Sequence, residues 1–315
     1  MFAKRTPGKQ RLKYCIQNEP DFYYHPPAYP GFRTIANAVH KGWISVGKPL
    51  TCTVLGVIIS AAPDKSVDQW VAEHVMEKQS LRNAIQLMSR GVDASGKALA
   101  AGVPPKVKGI FDVATGLLFQ SWPTNLKPAW GEYPFDSLFG GLGHTKDSAG
   151  AFTDIANLQV LDWDINSLKS HVADFEDAFS GIYQTYARKQ QLNYLADFID
   201  VFSYMRQPQV ISSYNAAYHA NLDTWAQFAK VPGAGTFDYV GAYKQIVPSD
   251  IDVQVSTALG FFKSATQAAL TYWQSAAAAS KFSAADVATN VKLLQDDFIN
   301  NAATYIQLDK AAMTK

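Results

Sequence analysis

At 315 residues the chain is long enough for one large domain or two ordinary ones, and its 17% of charged side chains falls short of the roughly 25% usual in soluble proteins. A net charge of +1 excludes the basic excess of a general nucleic-acid binder, and two cysteines, Cys15 and Cys52, exclude a disulfide framework and show no metal-ligand spacing. A surface this poor in charge is either covered, by a partner or by lipid, or dressed in Asn, Gln, Ser and Thr over a large core.

The chain opens on an acid-free basic stretch, in which Lys4, Arg5, Lys9, Arg11 and Lys13 all precede Glu19. Such starts occur in organellar transit peptides, although Pro7 and Gly8 interrupt any amphipathic face, and an ordinary basic arm is the alternative. The first 40 residues hold no long apolar run and hence no secretory signal, so an intracellular setting, reducing or organellar, is expected. Further along, Pro20, Pro26, Pro27 and Pro30 remove amide donors and hold their predecessors extended. Residues 1–32 therefore read as an extended arm. Its aromatic groups, Phe22, Tyr23, Tyr24, Tyr29 and Phe32, need a surface to bury against, on this domain or on another chain.

Residues 33–149 read as a segment of shorter helices. Ile35, Val39, Trp43 and Ile44 predict a short helix ending at Gly47. The run Leu50–Ala62 is uncharged but only thirteen residues long, where a bilayer span takes about 20. It predicts a buried or interfacial helix and is the candidate membrane contact. Ser66 is placed to cap the next helix, whose apolar side is Val67, Trp70, Val71, Val75, Leu81, Ile85 and Met88 up to Gly91. His74 stands on it beside Glu73 and Glu77, but no second histidine follows at i+4, so a solvated or salt-bridged histidine is expected rather than a zinc ligand. After a Gly, Ala and Pro-rich connector over residues 92–106, Val107 to Trp122 predicts an apolar helix. Residues 123–149 then read as a long aromatic loop with Trp130, Tyr133 and Phe135, offered as contact groups. Within it Gly140-Gly141-Leu142-Gly143-His144 lacks the Lys-Ser/Thr and the preceding strand of a phosphate loop and is read as a flexible turn.

Residues 150–315 read as an antiparallel bundle of about four long helices. A short helix over Phe152–Leu161 leads into a spine from Asp164 to Arg206, with Leu168, Val172, Phe175, Phe179, Tyr183, Leu192, Leu195, Ile199 and Phe202 at helical spacing. Asp164 is its expected cap, and Gly181 is a site of one break. Ile211, Tyr214, Tyr218, Leu222, Trp225 and Phe228 mark the second helix, ending before Pro232. Ser249 with Asp252, and Ser283 with Asp286, resemble capping boxes opening the third and fourth helices. Asp174, Asp177, Asp197 and Asp200 flank the stripes and read as a solvated face. His171 and His219 lie near stripe edges and are placed to face each other across the bundle.

The fold class expected is thus all-α, or mainly α. There is no Gly-x-Ser-x-Gly, no Cys/His signature and no Glu-x-x-His pair, so no catalytic, cofactor-binding or metal-binding residue is assigned. The expected function is that of a non-enzymatic accessory or scaffold subunit of a larger, membrane-associated assembly, most specifically a mitochondrial energy-converting complex of respiratory or ATP synthase type. Its partners would be other protein subunits, held through the arm and the 123–149 loop, with no nucleic acid. A helical pore-forming protein, inserting Leu50–Ala62 and Val107–Trp122, and a helical-bundle protein holding a cofactor or metal are the rival classes.

Overall fold

The computed structural model describes residues 70–102, 107–112, 115–127, 131–144 and 158–315, together with the backbone of the strands β1 (Leu12–Tyr14), β2 (Phe22–Tyr24), β3 (Gly42–Ser45) and β4 (Val57–Ser60). Tyr29, Phe32, Trp130 and the Ser66 cap lie outside these residues. The protein is mainly helical, as its periodicity predicts, but four of the runs read as helix contribute strands. With β5 (Trp70–His74) and β6 (Leu158–Asp162), the strands β3 and β4 form a mixed sheet in the order β4-β3-β6-β5. Antiparallel pairs join β3 to β4 and β5 to β6, while β3 and β6 run parallel at Trp43 and Leu161.

Local chemistry accounts for the change. Val57, Ile58 and Ile59 are β-branched and stiff at χ1, which suits a pleated strand better than a helix. The interfacial helix expected over Leu50–Ala62 is therefore overturned at Val57–Ser60, its other residues lying outside those described. In β5 and β6 the apolar runs are short enough to satisfy either period, and cross-strand pairing decides the outcome. The apolar helix expected over Val107–Trp122 is likewise only one turn, Val107–Ile110, and a 3₁₀ turn, Leu117–Phe119. Among the described residues no helix is long and apolar enough to cross a membrane.

Helices of eight or more residues are numbered here: α1 (Lys78–Arg90), α2 (Trp163–Ala173), α3 (Arg188–Met205), α4 (Pro208–Phe228), α5 (Tyr239–Trp273) and α6 (Ala284–Lys292). The predicted spine is thus two helices, not one. Its cap is Asp162, two residues earlier than expected, whose carboxylate accepts from the Asp164 amide at 2.9 Å. It stops at Asp174, followed by Phe175 at φ 57°, and the chain reverses through Gly181 at φ 60° before a turn at Ile182–Thr185. From Leu192 to Met205, α3 is buried on nearly every side, enclosed by α2, α4, α5 and the strands β3 and β4. Leu192, Leu195, Phe198, Ile199, Val201, Phe202 and Tyr204 spread apolar surface around its circumference, which places it inside the fold. Asp197 and Asp200 are carried in with it, at 7% and 0% exposure, which corrects the solvated face expected of them.

Pro208 opens α4 at its first turn, where a missing N–H costs nothing. By contrast Pro248, just ahead of the expected Ser249 cap, lies inside the 35-residue α5. Ser249 is not a cap. Its Oγ accepts the Ser95 amide of the 91–102 loop at 3.2 Å, and Gln245 holds the same loop through Asp93 Oδ2 at 3.1 Å and the Ala100 amide at 2.9 Å. The Ser283 cap is as predicted, its Oγ accepting from the Asp286 amide at 3.1 Å. α6 then continues as a π-helical stretch, Leu293–Ile299.

The expected 123–149 loop is in part a folded element. Pro134–Phe139 is helical and runs into a π turn, Gly140–His144, both packed on α4. A Cβ on Gly141 would stand 2.6 Å from the Ala220 methyl, and one on Gly143, at φ 90°, 2.6 Å from Leu158. These glycines let the turn's backbone lie directly against the Ala220 and Leu158 side chains, so the cluster is a packing device and not merely a flexible turn. The resulting core is continuous from Val75 to Met313 and passes through the expected limit at residues 149 and 150.

Candidate functional site

The densest chemistry in the described residues lies where β5 runs into α1. Trp70 to Asn83 is threaded through the middle of the molecule, so Glu73, His74, Lys78, Gln79, Ser80 and Asn83 are all buried. His74 is a buried strand residue, which corrects the solvated helical histidine expected there. Lys169 reaches this segment from α2, where it occupies an inward position of the stripe Ile165, Leu168, Val172. Its ammonium donates to the His74 carbonyl at 2.8 Å and to Glu77 Oε1 at 2.9 Å, and it forms an ion pair with the Glu73 carboxylate. Three N–H groups thus meet three acceptors. From α3, the Tyr204 hydroxyl donates to Glu73 Oε2 at 2.6 Å.

Burial pushes the Glu73 carboxyl above the ordinary carboxylate range, with Lys169 opposing the shift. Burial works against the Lys169 ammonium too, but Glu73 and Glu77 together hold its pKa above that of an ordinary lysine. Burial also raises the Tyr204 phenol well above its usual value, with Glu73 adding to it. Glu73, Lys169 and Tyr204 are at most 3% exposed. A solvent-borne substrate does not reach them in this conformation. What the arrangement does is tie the sheet, α1, α2 and α3 to one another through a geometry only one packing satisfies.

A second polar seam continues along α1. Arg82 Nη2 donates to Asp174 Oδ1 at 2.7 Å, Gln79 Nε2 to Asp174 Oδ2 at 3.3 Å, and Asn83 Nδ2 to the Ala173 carbonyl at 3.3 Å. Across from them on α5, Asp250 accepts from Gln254 Nε2 at 2.7 Å. Arg82 is committed to Asp174, so among the described residues Asp250 has no ion-pair partner. Burial raises its carboxyl to about 7, with Gln254, Asn83 and Arg82 opposing, and Tyr214 and Tyr243 also facing it. The unfolded chain, ionising Asp250 near 3.8, binds fewer protons than the folded one between pH 3.8 and 7, so this group lowers stability as pH rises through that window. We expect Asp250→Asn to flatten that dependence and to be the more stable protein at pH 8, by on the order of 4 kcal/mol at most. Urea denaturation at pH 5 and pH 8 measures the difference between the two proteins.

The residues expected to make contacts are not gathered in one place. Phe22, Tyr23 and Tyr24 form β2, paired antiparallel with β1, so the arm is a two-stranded ribbon there and not a lone extended segment. β1 runs beside α1. Tyr133 is half-buried, and the neighbouring Glu132 carboxylate raises its phenol pKa. Phe135 is a correction. It is 1% exposed, with its ring 4.7 Å from Phe119 and 5.7 Å from Phe139, and so belongs to this chain's own core. The two histidines do not meet: His171 pairs with Glu176 at 3.0 Å, and His219 Nε2 lies 2.6 Å from the Lys315 carbonyl. Among the described residues no group of three or more His, Cys, Asp or Glu is placed to hold a metal ion. The chain matches no protein-family model, no curated protein and no solved structure.

Sequence reading passed over Glu73, Glu77, Lys169, Tyr204, Arg82 and Asp250 as site residues. A signal existed for two of them. Lys169 stands at i+4 from Ile165, and Asp250 at i+3 and i+4 from Val247 and Ile246, so each polar side chain occupies an apolar stripe position.

Proposed function

We propose that the protein is a non-enzymatic scaffold subunit that joins a larger assembly through its amino-terminal aromatic ribbon. The observation that carries this reading is the pairing of Leu12–Tyr14 with Phe22–Tyr24 in a sheet of two strands. Such a ribbon is marginal by itself, and among the described residues each of its strands is an edge, the feature to which another chain's strand adds. Three consecutive aromatic residues on one of those strands suit an anchor, since interface energy concentrates in such side chains. Of the 123–149 segment, Tyr133 is the contact candidate that remains among the described residues.

The most specific form of the proposal, an organellar and mitochondrial energy-converting complex, rests on the basic start Lys4 to Lys13. The pore-forming alternative loses its two inserting helices, one to β4 and the other to the break after Ile110. Native mass in extracts of the source organism tests the proposal. The full chain is expected in a particle larger than its monomer, and the variant Phe22→Ala/Tyr23→Ala/Tyr24→Ala at monomer mass with unchanged helicity. A full chain running at monomer mass, or a triple variant that still assembles, overturns it.

A further inference from the structure

Where the turn Ile182–Thr185 and the first turn of α3 meet the outer side of α5, an open cleft of about 190 Å³ separates them. At roughly 30 Å³ per water that is room for about six waters or one small organic molecule. Phe179, Phe261, Ala265 and Ala268 supply its apolar lining. Arg188 stands on its wall, held in place twice. Its Nη1 donates to Gln191 Oε1 at 2.9 Å, and its guanidinium lies 4.2 Å over the Tyr272 ring. Gln191 is itself buried and fixed, its Nε2 donating to the Tyr183 carbonyl at 3.1 Å.

Two hydrogen-bonding groups are left open by this arrangement. Among the described residues no carboxylate pairs with Arg188, and Tyr183, which also lines the cleft and whose phenol feels the Arg188 charge, makes no hydrogen bond through its hydroxyl. A rigid guanidinium with free N–H groups recognises a carboxylate at little entropic cost. The Asp177 carboxylate lines the cleft as well and disfavours any ligand with more than one negative charge. We propose that this cleft binds a small monocarboxylate with a short apolar body, the carboxylate on Arg188 and the Tyr183 hydroxyl and the body over Phe179, Phe261 and the alanines. This site is independent of the ribbon and of any assembly it joins.

The cleft alanines make the test direct. The full chain, carrying ¹³C-methyl alanine, is titrated with sodium benzoate, with benzyl alcohol as the same body without the charge, and with inorganic phosphate as charge without the body. Saturable shifts of the Ala265, Ala268 and Ala269 methyls with benzoate alone are expected. Arg188→Gln should weaken binding about tenfold or more, as loss of a charge-assisted pair does. Ala268→Leu, which fills the cleft from an exposed helix position, should abolish it with helicity unchanged. No saturable shift with benzoate overturns the proposal. So does equal binding of benzyl alcohol or phosphate, or benzoate affinity unaltered in both variants.

Discussion

Replacing Lys169 by Met is expected to destabilise the protein by about 3–5 kcal/mol, the cost of removing one partner from a buried ion pair. The ammonium answers Glu73, Glu77 and the His74 carbonyl at once, and its loss leaves two carboxylates facing each other with little water. Met conserves the length and apolar character of the stem, so the loss reports on charge and hydrogen bonding more than on volume. Adding Glu73→Gln to Lys169→Met should recover part of the loss, because the uncompensated buried charge goes with it. Urea denaturation of the two single variants and the double one closes the cycle. A loss below about 0.5 kcal/mol, the range of surface changes, would mean that water reaches the cluster in solution.

The fragment 150–315 is expected to be helical by circular dichroism yet to melt without cooperativity. Periodicity alone makes those residues look like a self-sufficient bundle. In the structure, however, β6 lies between β3 and β5, α2 meets Glu73 and Glu77 through Lys169, and Asp174 meets Arg82. Val75, Met76, Leu81, Ile85 and Met88 fill the same core as Phe198, Phe202 and Phe262. Without residues 70–90 the fragment exposes that apolar surface and strands Lys169 without its acceptors. Secondary structure with loosened packing, visible as binding of a hydrophobic dye and a broad melt, is the expected state. A sharp two-state transition would show that residue 150 marks a true domain limit.

The carboxy-terminal helices were legible because their stripes are long and their ends carry local signals. Ser283 caps where its side chain predicts, and Pro208 marks a boundary because a proline is harmless at a first turn. Pro248 misleads for the complementary reason. Tertiary packing on both flanks, with Tyr243, Ile246, Ile251 and Ala258 buried, outweighs one lost hydrogen bond, and the helix runs on. The sheet was hidden because Trp70 to His74 is five residues long, and at that length apolar spacing fits either period. As for the buried cluster, Lys169 pairs with residues more than ninety positions away. Nothing local marks such a partner. The inward place of Lys169 and Asp250 on apolar stripes is the one trace it leaves, and it shows only when a stripe is read for what interrupts it.

The polar character of the threaded segment has a consequence during synthesis. The His74 carbonyl and the Lys169 ammonium that seals it are 95 positions apart. At about 5–20 residues per second, β5 and α1 wait some 5–20 s outside the ribosome before their partner emerges. Val75, Met76, Leu81, Ile85 and Met88 are uncovered throughout that time, but polar neighbours interrupt them and keep the segment from presenting a continuous apolar run. Glu73 stays hydrated until Lys169 and Tyr204 arrive to replace its water, Gln79 and Asn83 until Asp174 and the Ala173 carbonyl do, and Ser80 until Gln254 does.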